Sequence, residues 1–170
     1  LNSDFKTALD LIEKEGKNLF ITGRAGTGKS TLLQLFRNTT RKKAVVLAPA
    51  GVAALNVRGQ TIHSFFGFPP RLISPREISK RKDRRLYRNM EVLVIDEISM
   101  VRADVLDNID YFLRLNRDSP LPFGGVQVVF FGDLFQLPPV VATDFEQEVF
   151  STTYDSAFFF LAQVFKSGFE

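Results

Sequence analysis

Apolar residues recur along the chain with two periods. Phe5, Ala8, Leu9 and Ile12 stand at i, i+3, i+4 and i+7, which predicts an amphipathic opening helix closed near Gly16. Leu19 to Ile21 is a short unbroken apolar run of the buried-strand kind. Leu32, Leu35 and Phe36 then begin a helical stripe that runs to about Asn38. Ala44 to Ala48 reads as a second buried strand, broken by Pro49 to Gly51, and Val52 to Val57 predicts a short helix. Thr61 to Phe68 predicts another helical turn, ended by Pro69 and Pro70. Val92 to Ile95 is a third buried strand, and Val105, Leu106, Ile109, Phe112 and Leu113 mark one face of a clear helix. Pro120 to Gly125 predicts a loop and Val126 to Phe131 a fourth strand. Pro138 and Pro139 stop its continuation, and Ala157 to Val164 is apolar enough for a last helix.

Strands that alternate with helices and read as continuous apolar runs predict an α/β domain. Its sheet is expected to be largely parallel, with helices on both faces. Ligands of such sheets sit at the carboxyl ends of the strands. The first strand ends at a glycine-rich loop, the third at Asp96-Glu97 and the fourth at Gly132-Asp133, so three polar clusters converge on one edge. No internal repeat, low-complexity tract or linker interrupts the pattern, and 170 residues is one domain of ordinary size. The chain stops at Phe169-Glu170 without a loop or cap, as expected of a cut inside a larger protein.

Composition narrows the class further. Hydrophobic residues are 45% and charged residues 24%, a globular balance. Eighteen Phe with no Trp make most Phe core residues, so a single Phe needs a second argument before it becomes a ligand contact. The absence of Cys excludes disulfides and thiolate metal sites and fits a reducing, intracellular compartment. No apolar run approaches the ~20 residues of a membrane span, and no signal peptide opens the chain. The net charge of +3 is mild, but Arg71 to Met90 carries eight cations against two carboxylates. That segment reads equally as a footprint for a phosphate backbone or as a solvated basic loop.

Gly23 to Ser30, G-R-A-G-T-G-K-S, fit G-x-x-x-x-G-K-S between a strand and a helix, the context of a phosphate-binding loop. Gly23, Gly26 and Gly28 let backbone N–H groups turn inward, and Ala25, Thr27 and Thr31 complete the cradle. The following helix points its positive end at the same anion. Lys29 can reach the β- and γ-phosphates of ATP, and the Ser30 hydroxyl can ligate Mg²⁺. Asp96 is placed to hold Mg²⁺ as the partner of Ser30, and Glu97 to polarise the attacking water. The same acidic pair could instead be a helix N-cap. Gln136, in G-D-L-F-Q-L-P-P, fits an amide that senses the γ-phosphate, or else belongs to a surface turn built for the two prolines.

Six stretches occur in the order found in the Pif-type (petite integration frequency) DNA helicases of superfamily 1B. They are G-R-A-G-T-G-K-S, A-P-A-G-V-A-A-L-N, Q-T-I-H-S-F-F-G, V-L-V-I-D-E-I-S-M, P-F-G-G-V-Q-V-V-F-F-G-D-L-F-Q-L-P-P and D-S-A-F-F-F. Essentially the whole chain resembles the first RecA-like motor domain of that family, a P-loop NTPase fold. The resemblance implies an ATP-dependent helicase moving 5′ to 3′ on single-stranded DNA. It also implies roles in DNA repair, recombination and telomere maintenance, and Gln136 as the coupler of nucleotide state to DNA. Pro49 to Ala53 (Pro49 and Gly51 above all) and Thr61 to Ser64 would face the DNA, with His63 and Phe65 offering faces for stacking and Phe66 in the core. A RecD-type translocase subunit and a nucleotide-dependent DNA-binding switch without unwinding are the rival readings. The chain departs from the family at Ala50, where Thr is usual. It departs again near Phe5 or Lys6, where the family has an adenine-reading glutamine. Motifs of a second RecA-like domain are absent from the 170 residues, so that domain of the parent chain is an expected partner and the isolated stretch is expected to be nearly inactive.

Overall fold

The computed structural model describes residues 3–22 and 28–133. The chain opens with α1 (Ser3–Glu13), β1 (Leu19–Thr22) and α2 (Lys29–Thr39). Next come β2 (Ala44–Ala48), α3 (Gly51–Asn56), β3 (Gln60–Thr61) and α4 (Ile62–Phe66). Beyond the basic segment lie α5 (Arg85–Asn89), β4 (Val92–Ile95), α6 (Ala103–Asn116) and β5 (Gln127–Gly132). The strands form one sheet in the order β1-β5-β4-β2-β3, and every pairing is parallel.

The unbroken apolar runs have the cause expected of a doubly covered sheet. Side chains alternate across a strand, so each strand feeds two cores. Val92, Val94, Val46, Val129 and Phe131 join Ile12 of α1 and Leu32, Leu33 and Phe36 of α2 on one face. Leu93, Ile95, Leu47, Val128 and Phe130 join α4 and α6 on the other. This is the RecA-like arrangement, with helices on both faces. Among the described residues no helix is long and apolar enough to cross a membrane.

Two elements escape the periodicity. β3 is two residues long, too short to show a period, and exists because Leu47 and Ala48 pair with Gln60 and Thr61. α5 lies within the basic segment and carries no buried residue. It is held from outside: the Tyr87 hydroxyl donates to the Phe65 carbonyl at 2.8 Å, and Arg117 Nη1 donates to the Tyr87 and Met90 carbonyls at 2.7 and 2.9 Å. The predicted last helix, Ala157 to Val164, lies outside the described residues.

Two fixtures set the ends of the sheet. At the amino ends, Lys42 Nζ donates to the Ile12 carbonyl and Gln127 Oε1 at 2.8 and 2.9 Å. Gln127 Nε2 in turn donates to the carbonyls of Ile12 and Lys17 at 3.0 and 2.8 Å. Between α6 and β5, residues 122–125 form a tight turn in which buried Phe123 and Gly124 both have left-handed φ, 54° and 65°. Asp110 Oδ1 accepts the Phe123 N–H at 2.6 Å and fixes that turn to α6.

Gly124 needs to be glycine twice over, since a Cβ there would lie 2.5 Å from the Leu113 carbonyl oxygen at a positive φ. Gly124→Ala is expected to destabilise the fold by roughly 2–4 kcal/mol. Gly125→Ala should cost less, because its Cβ would come no nearer than 3.4 Å, to the Leu121 side chain. Urea denaturation of the two variants measures the difference; equal losses would show that backbone strain alone decides at both positions.

Candidate active site

The carboxyl ends of β1, β5 and β4 lie side by side, so the three polar clusters do share one edge. Gly23, Arg24, Ala25, Gly26 and Thr27 lie outside the described residues, as does Gln136. The helical half of the loop is described. Gly28 precedes α2 with φ 91°, and no side chain caps the helix or places an acid in its first turn. Its leading N–H groups therefore meet no competing side-chain acceptor, which suits an anion. A Cβ on Gly28 would lie 2.8 Å from Phe5 Cζ, so the α1 ring packs directly over this position. Lys29 is half-buried, while Ser30 and Thr31 are exposed.

Asp96 and Glu97 follow a strand whose four residues are all buried. The Asp96 N–H donates to the Leu47 carbonyl at 2.8 Å, which extends the β4–β2 pairing to the carboxylate itself. Burial pushes the Asp96 carboxyl up; a hydrogen bond from the Glu97 backbone opposes that rise, the Glu97 charge adds to it, and the Lys29 charge opposes it. Glu97 sits at φ 54°, ψ 43°, a left-handed conformation that side chains rarely adopt. It is not the N-cap of a regular helix: residues 98–100 make only a single 3₁₀ turn, with no side-chain cap. Gly132 closes the other flank. A Cβ there would lie 2.7 Å from Ile98 Cγ2 and 3.3–3.4 Å from the Ile98 and Ser99 nitrogens, so the end of β5 rests on the turn after Glu97.

Ser30 and Asp96 supply a hydroxyl and a carboxylate, hard oxygen donors that suit Mg²⁺, which keeps waters and takes substrate phosphates for its other positions. Among the described residues no three His, Cys, Asp or Glu side chains gather into a metal site.

The remaining candidates lie at the opposite edge of the sheet. Pro49 and Gly51 stand where β2 turns into α3, and Ala48 pairs with Thr61, so the two stretches adjoin. Ala50 and Gly51 are exposed, and a Cβ on Gly51 would meet nothing within 4 Å. Thr61 caps α4, its Oγ1 accepting the Ser64 N–H at 3.2 Å, which leaves the hydroxyl proton available to an outside acceptor. Val52 and Leu55, one helical turn apart on α3, are 74% and 80% exposed beside this edge. The alternating core pattern gave no signal for them.

One of the expected DNA-facing side chains is placed differently. Phe65 is buried, packed edge-on against Phe66 and Tyr87 with centroids 4.9 and 5.3 Å away, so its ring has no face to offer a base. With Ile62 and Phe66 it forms the face that this five-residue helix turns to one core. Phe66 is fully buried, as expected. His63 is half-buried, with Nδ1 enclosed and without a partner among the described residues. Burial lowers its pKa, helped by Arg102 and opposed by Asp104 and by a backbone hydrogen bond at Phe68.

The basic segment is largely committed to the fold. Arg71 pairs with Glu77 at 2.7 Å, Lys80 and Arg84 share Asp118 at 2.7 and 2.8 Å, and Arg85 pairs with Asp83 at 2.7 Å. Arg81 donates to the Phe66 carbonyl and lies 5.6 Å from the centroid of the Phe112 ring. Arg76, Lys82 and Arg88 are exposed and have no side-chain partner among the described residues.

Comparison with known proteins gives one answer. The PIF1-like helicase family profile matches residues 1–162. The chain is 41% identical over 150 residues to the ATP-dependent DNA helicase PIF1 of Saccharomyces cerevisiae (strain YJM789), covering 82% of the chain and 17% of that protein. It is 40% identical over 149 residues to the ATP-dependent DNA helicase Pif1 of Bdellovibrio bacteriovorus, covering 84% and 34%. Among solved structures, a Pif1 helicase from Bacteroides in complex with ADP-AlF3 and ssDNA superimposes with a TM-score of 0.88 and 47% identity. That match covers 98% of this chain and 39% of the other, so the chain spans well under half of each protein it resembles.

The conformation of Glu97 makes its own prediction. A side chain held left-handed costs about 1–3 kcal/mol, which glycine would relieve, less about 0.4–1 kcal/mol for its looser unfolded state. Glu97→Gly should therefore leave stability unchanged or raise it by up to about 2 kcal/mol while removing the carboxylate. Chemical denaturation checks this; a clear loss of stability would show that the Glu97 side chain holds the turn together.

Proposed function

Because the chain belongs to the PIF1-like helicase family, we propose that it is the motor domain of an ATP-dependent DNA helicase that moves 5′ to 3′ along single-stranded DNA. The observation that supports this reading most is the delivery of Asp96 and Glu97 by the fully buried strand β4, beside the carboxyl ends of β5 and β1. Lys29 neutralises the β- and γ-phosphates, while the first-turn N–H groups of α2 and the glycine loop Gly23–Gly28, with Ala25, Thr27 and Thr31, hold their oxygens. Ser30 and Asp96 would hold Mg²⁺, which would supply positive charge against the phosphates. Glu97 accepts a proton as a water oxygen bonds to the γ-phosphorus; the bond to the β–γ bridging oxygen breaks and its electrons leave on ADP. Gln136 senses the loss of the γ-phosphate.

Single-stranded DNA runs along the β2–β3 edge, where Pro49, Gly51 and Thr61 meet the backbone without reading sequence. Ala50 contributes no hydroxyl there. A second RecA-like domain of the same parent chain closes over the nucleotide and brings the positive charge that this side of the site does not provide. Roles in DNA repair, recombination and telomere maintenance rest on the family resemblance.

ATPase assays on the full-length protein test the chemistry. Lys29→Ala should lose both hydrolysis and tight ATP binding, whereas Glu97→Gln should keep ATP bound and unhydrolysed. Hydrolysis by Glu97→Gln at the unaltered rate would remove Glu97 as the base. A 5′-tailed duplex should be unwound and a 3′-tailed one not; nucleotide-dependent DNA binding without unwinding would leave only a switch.

The ion pairs of the basic segment limit its share of DNA binding. Replacing Arg76, Lys82 and Arg88 together by Ala should lower the log–log salt slope of single-strand binding by about 2, at roughly 0.7 per phosphate contact. Replacing Lys80 and Arg84, which share Asp118, should lower it by less. An unchanged slope in the triple variant would mean that the segment makes no phosphate contact.

A further inference from the structure

The two most exposed large apolar side chains among the described residues, Val52 and Leu55, stand on one six-residue helix. They are three positions apart in α3, so their Cβ atoms lie about 5–6 Å from each other on one helical face. Gly51 and Asn56 share that face and are exposed as well. Single surface aliphatics are ordinary, but a neighbouring pair on a firmly seated helix marks a surface with an occupant.

The seat of α3 is well defined. Ala54 and Val57 are buried on its opposite side, and Val57 belongs to the core that contains Leu32, Leu33 and Phe36 of α2. The helix cannot turn Val52 and Leu55 inward without withdrawing that pair from the core. Arg37 Nη1, from α2, donates to the Val57 carbonyl at 2.7 Å and closes the end of the helix. The Arg58 and Gly59 N–H groups then donate to the Leu55 and Ala54 carbonyls at 3.1 and 2.8 Å. A Cβ on Gly59 would strike the Val46 carbonyl oxygen, so this turn lies directly against β2 before the chain enters β3. Since Ala48 pairs with Thr61, α3 joins the two strands whose ends carry Pro49 and Thr61. The exposed pair is thus held on a fixed support beside that edge.

Charge selects the occupant. Between Glu15 and Glu77 the chain carries ten Lys and Arg and no Asp or Glu. α3 itself is uncharged, and exposed Arg58 stands two residues after its end. Such a stretch carries no charge that repels phosphate, while an aliphatic surface within it favours an apolar ligand face. Single-stranded nucleic acid offers both, because every nucleotide joins a phosphate to an unpaired base with an open face. A duplex keeps those faces inside its stack. We propose that Val52 and Leu55 form a ledge on which bases of the bound single strand rest, while Pro49, Gly51 and Thr61 hold its backbone. The proposal rests on the helicase reading above, which puts single-stranded DNA at this edge. An aliphatic contact is non-directional, so the ledge accepts any base and adds affinity without sequence preference. It also lets the edge prefer single strands, which phosphate contacts alone do not do.

The double variant Val52→Ala, Leu55→Ala of the full-length protein tests this, since truncation at two exposed helical positions spares the core. Its Kd for an oligo(dT) strand should rise about tenfold, as partial burial of two aliphatic side chains requires. The log–log salt slope should stay that of the unaltered protein, because no phosphate contact is lost. On a strand of equal length built from abasic deoxyribose phosphates, the variant and the unaltered protein should bind alike. Equal losses on the abasic and oligo(dT) strands would overturn the ledge, as would a lower salt slope, since either places the defect in the backbone contacts. An unchanged Kd for oligo(dT) would also overturn it. If that unchanged Kd came with a lowered thermal midpoint of the DNA-free variant, the pair would be covered by another part of the parent chain. An unaltered protein that fails to bind oligo(dT) at all would remove the helicase reading itself, and the ledge with it.

Discussion

Strand β4 has no exposed side chain, and its residues are divided between two cores, Val92 and Val94 to one face and Leu93 and Ile95 to the other. Each face is closed by helices, α1 and α2 on one side and α4 and α6 on the other, so the same four residues contribute to both cores. The parallel ladders to β2 and β5 hold the strand along its length. Carboxylates that follow such a strand inherit its immobility. Asp96 continues the hydrogen-bond ladder by one more residue, so its buried carboxyl is delivered by the backbone and needs no loop to place it.

The strand order then separates two functions. In the proposed function, the candidate nucleotide residues stand at the ends of β1, β5 and β4, and the exposed backbone and hydroxyl proposed for DNA stand at β2 and β3. Whatever joins them must cross the width of the sheet or pass beneath it. The core cluster under α4 and α6 takes the second route, and it contains both the helix headed by Thr61 and the turn after Glu97. The basic segment, by contrast, wraps the outside of that cluster. Arg81 covers Phe112, Arg117 gathers the carbonyls at the end of α5, and Asp118 gathers Lys80 and Arg84. Three of its cations, Lys80, Arg81 and Arg84, attach this polar segment to the rest of the fold.

Legibility in the sequence followed the range of the interactions. β2, β4 and α6 could be read because their burial is written into their own residues as runs and stripes. The phosphate loop could be read because its chemistry demands glycine, lysine and serine at set intervals. The structural fate of Phe65 and of Lys80 and Arg84 could not, because these depend on Tyr87 and Asp118, far along the chain. Tyr87 and Phe66 enclose Phe65; Asp118 neutralises Lys80 and Arg84 from more than thirty positions away. The left-handed Glu97 was hidden for a different reason: its residue type argues against that conformation, and only the packing of Ile98 and Ser99 against Gly132 imposes it.

The bonds at the amino ends of the strands give the domain a preferred sense of deformation. Lys42 and Gln127 tie α1, β2 and β5 together through carbonyls at the base of the sheet, much as a binding holds the spine of a book. A sheet stitched along its amino margin responds to load by fanning, so a given twist produces an excursion that grows with distance from the stitching. Work done on the domain from outside would then be felt as a change of angle between neighbouring strands, greatest where the carboxylates stand and least where Gln127 sits.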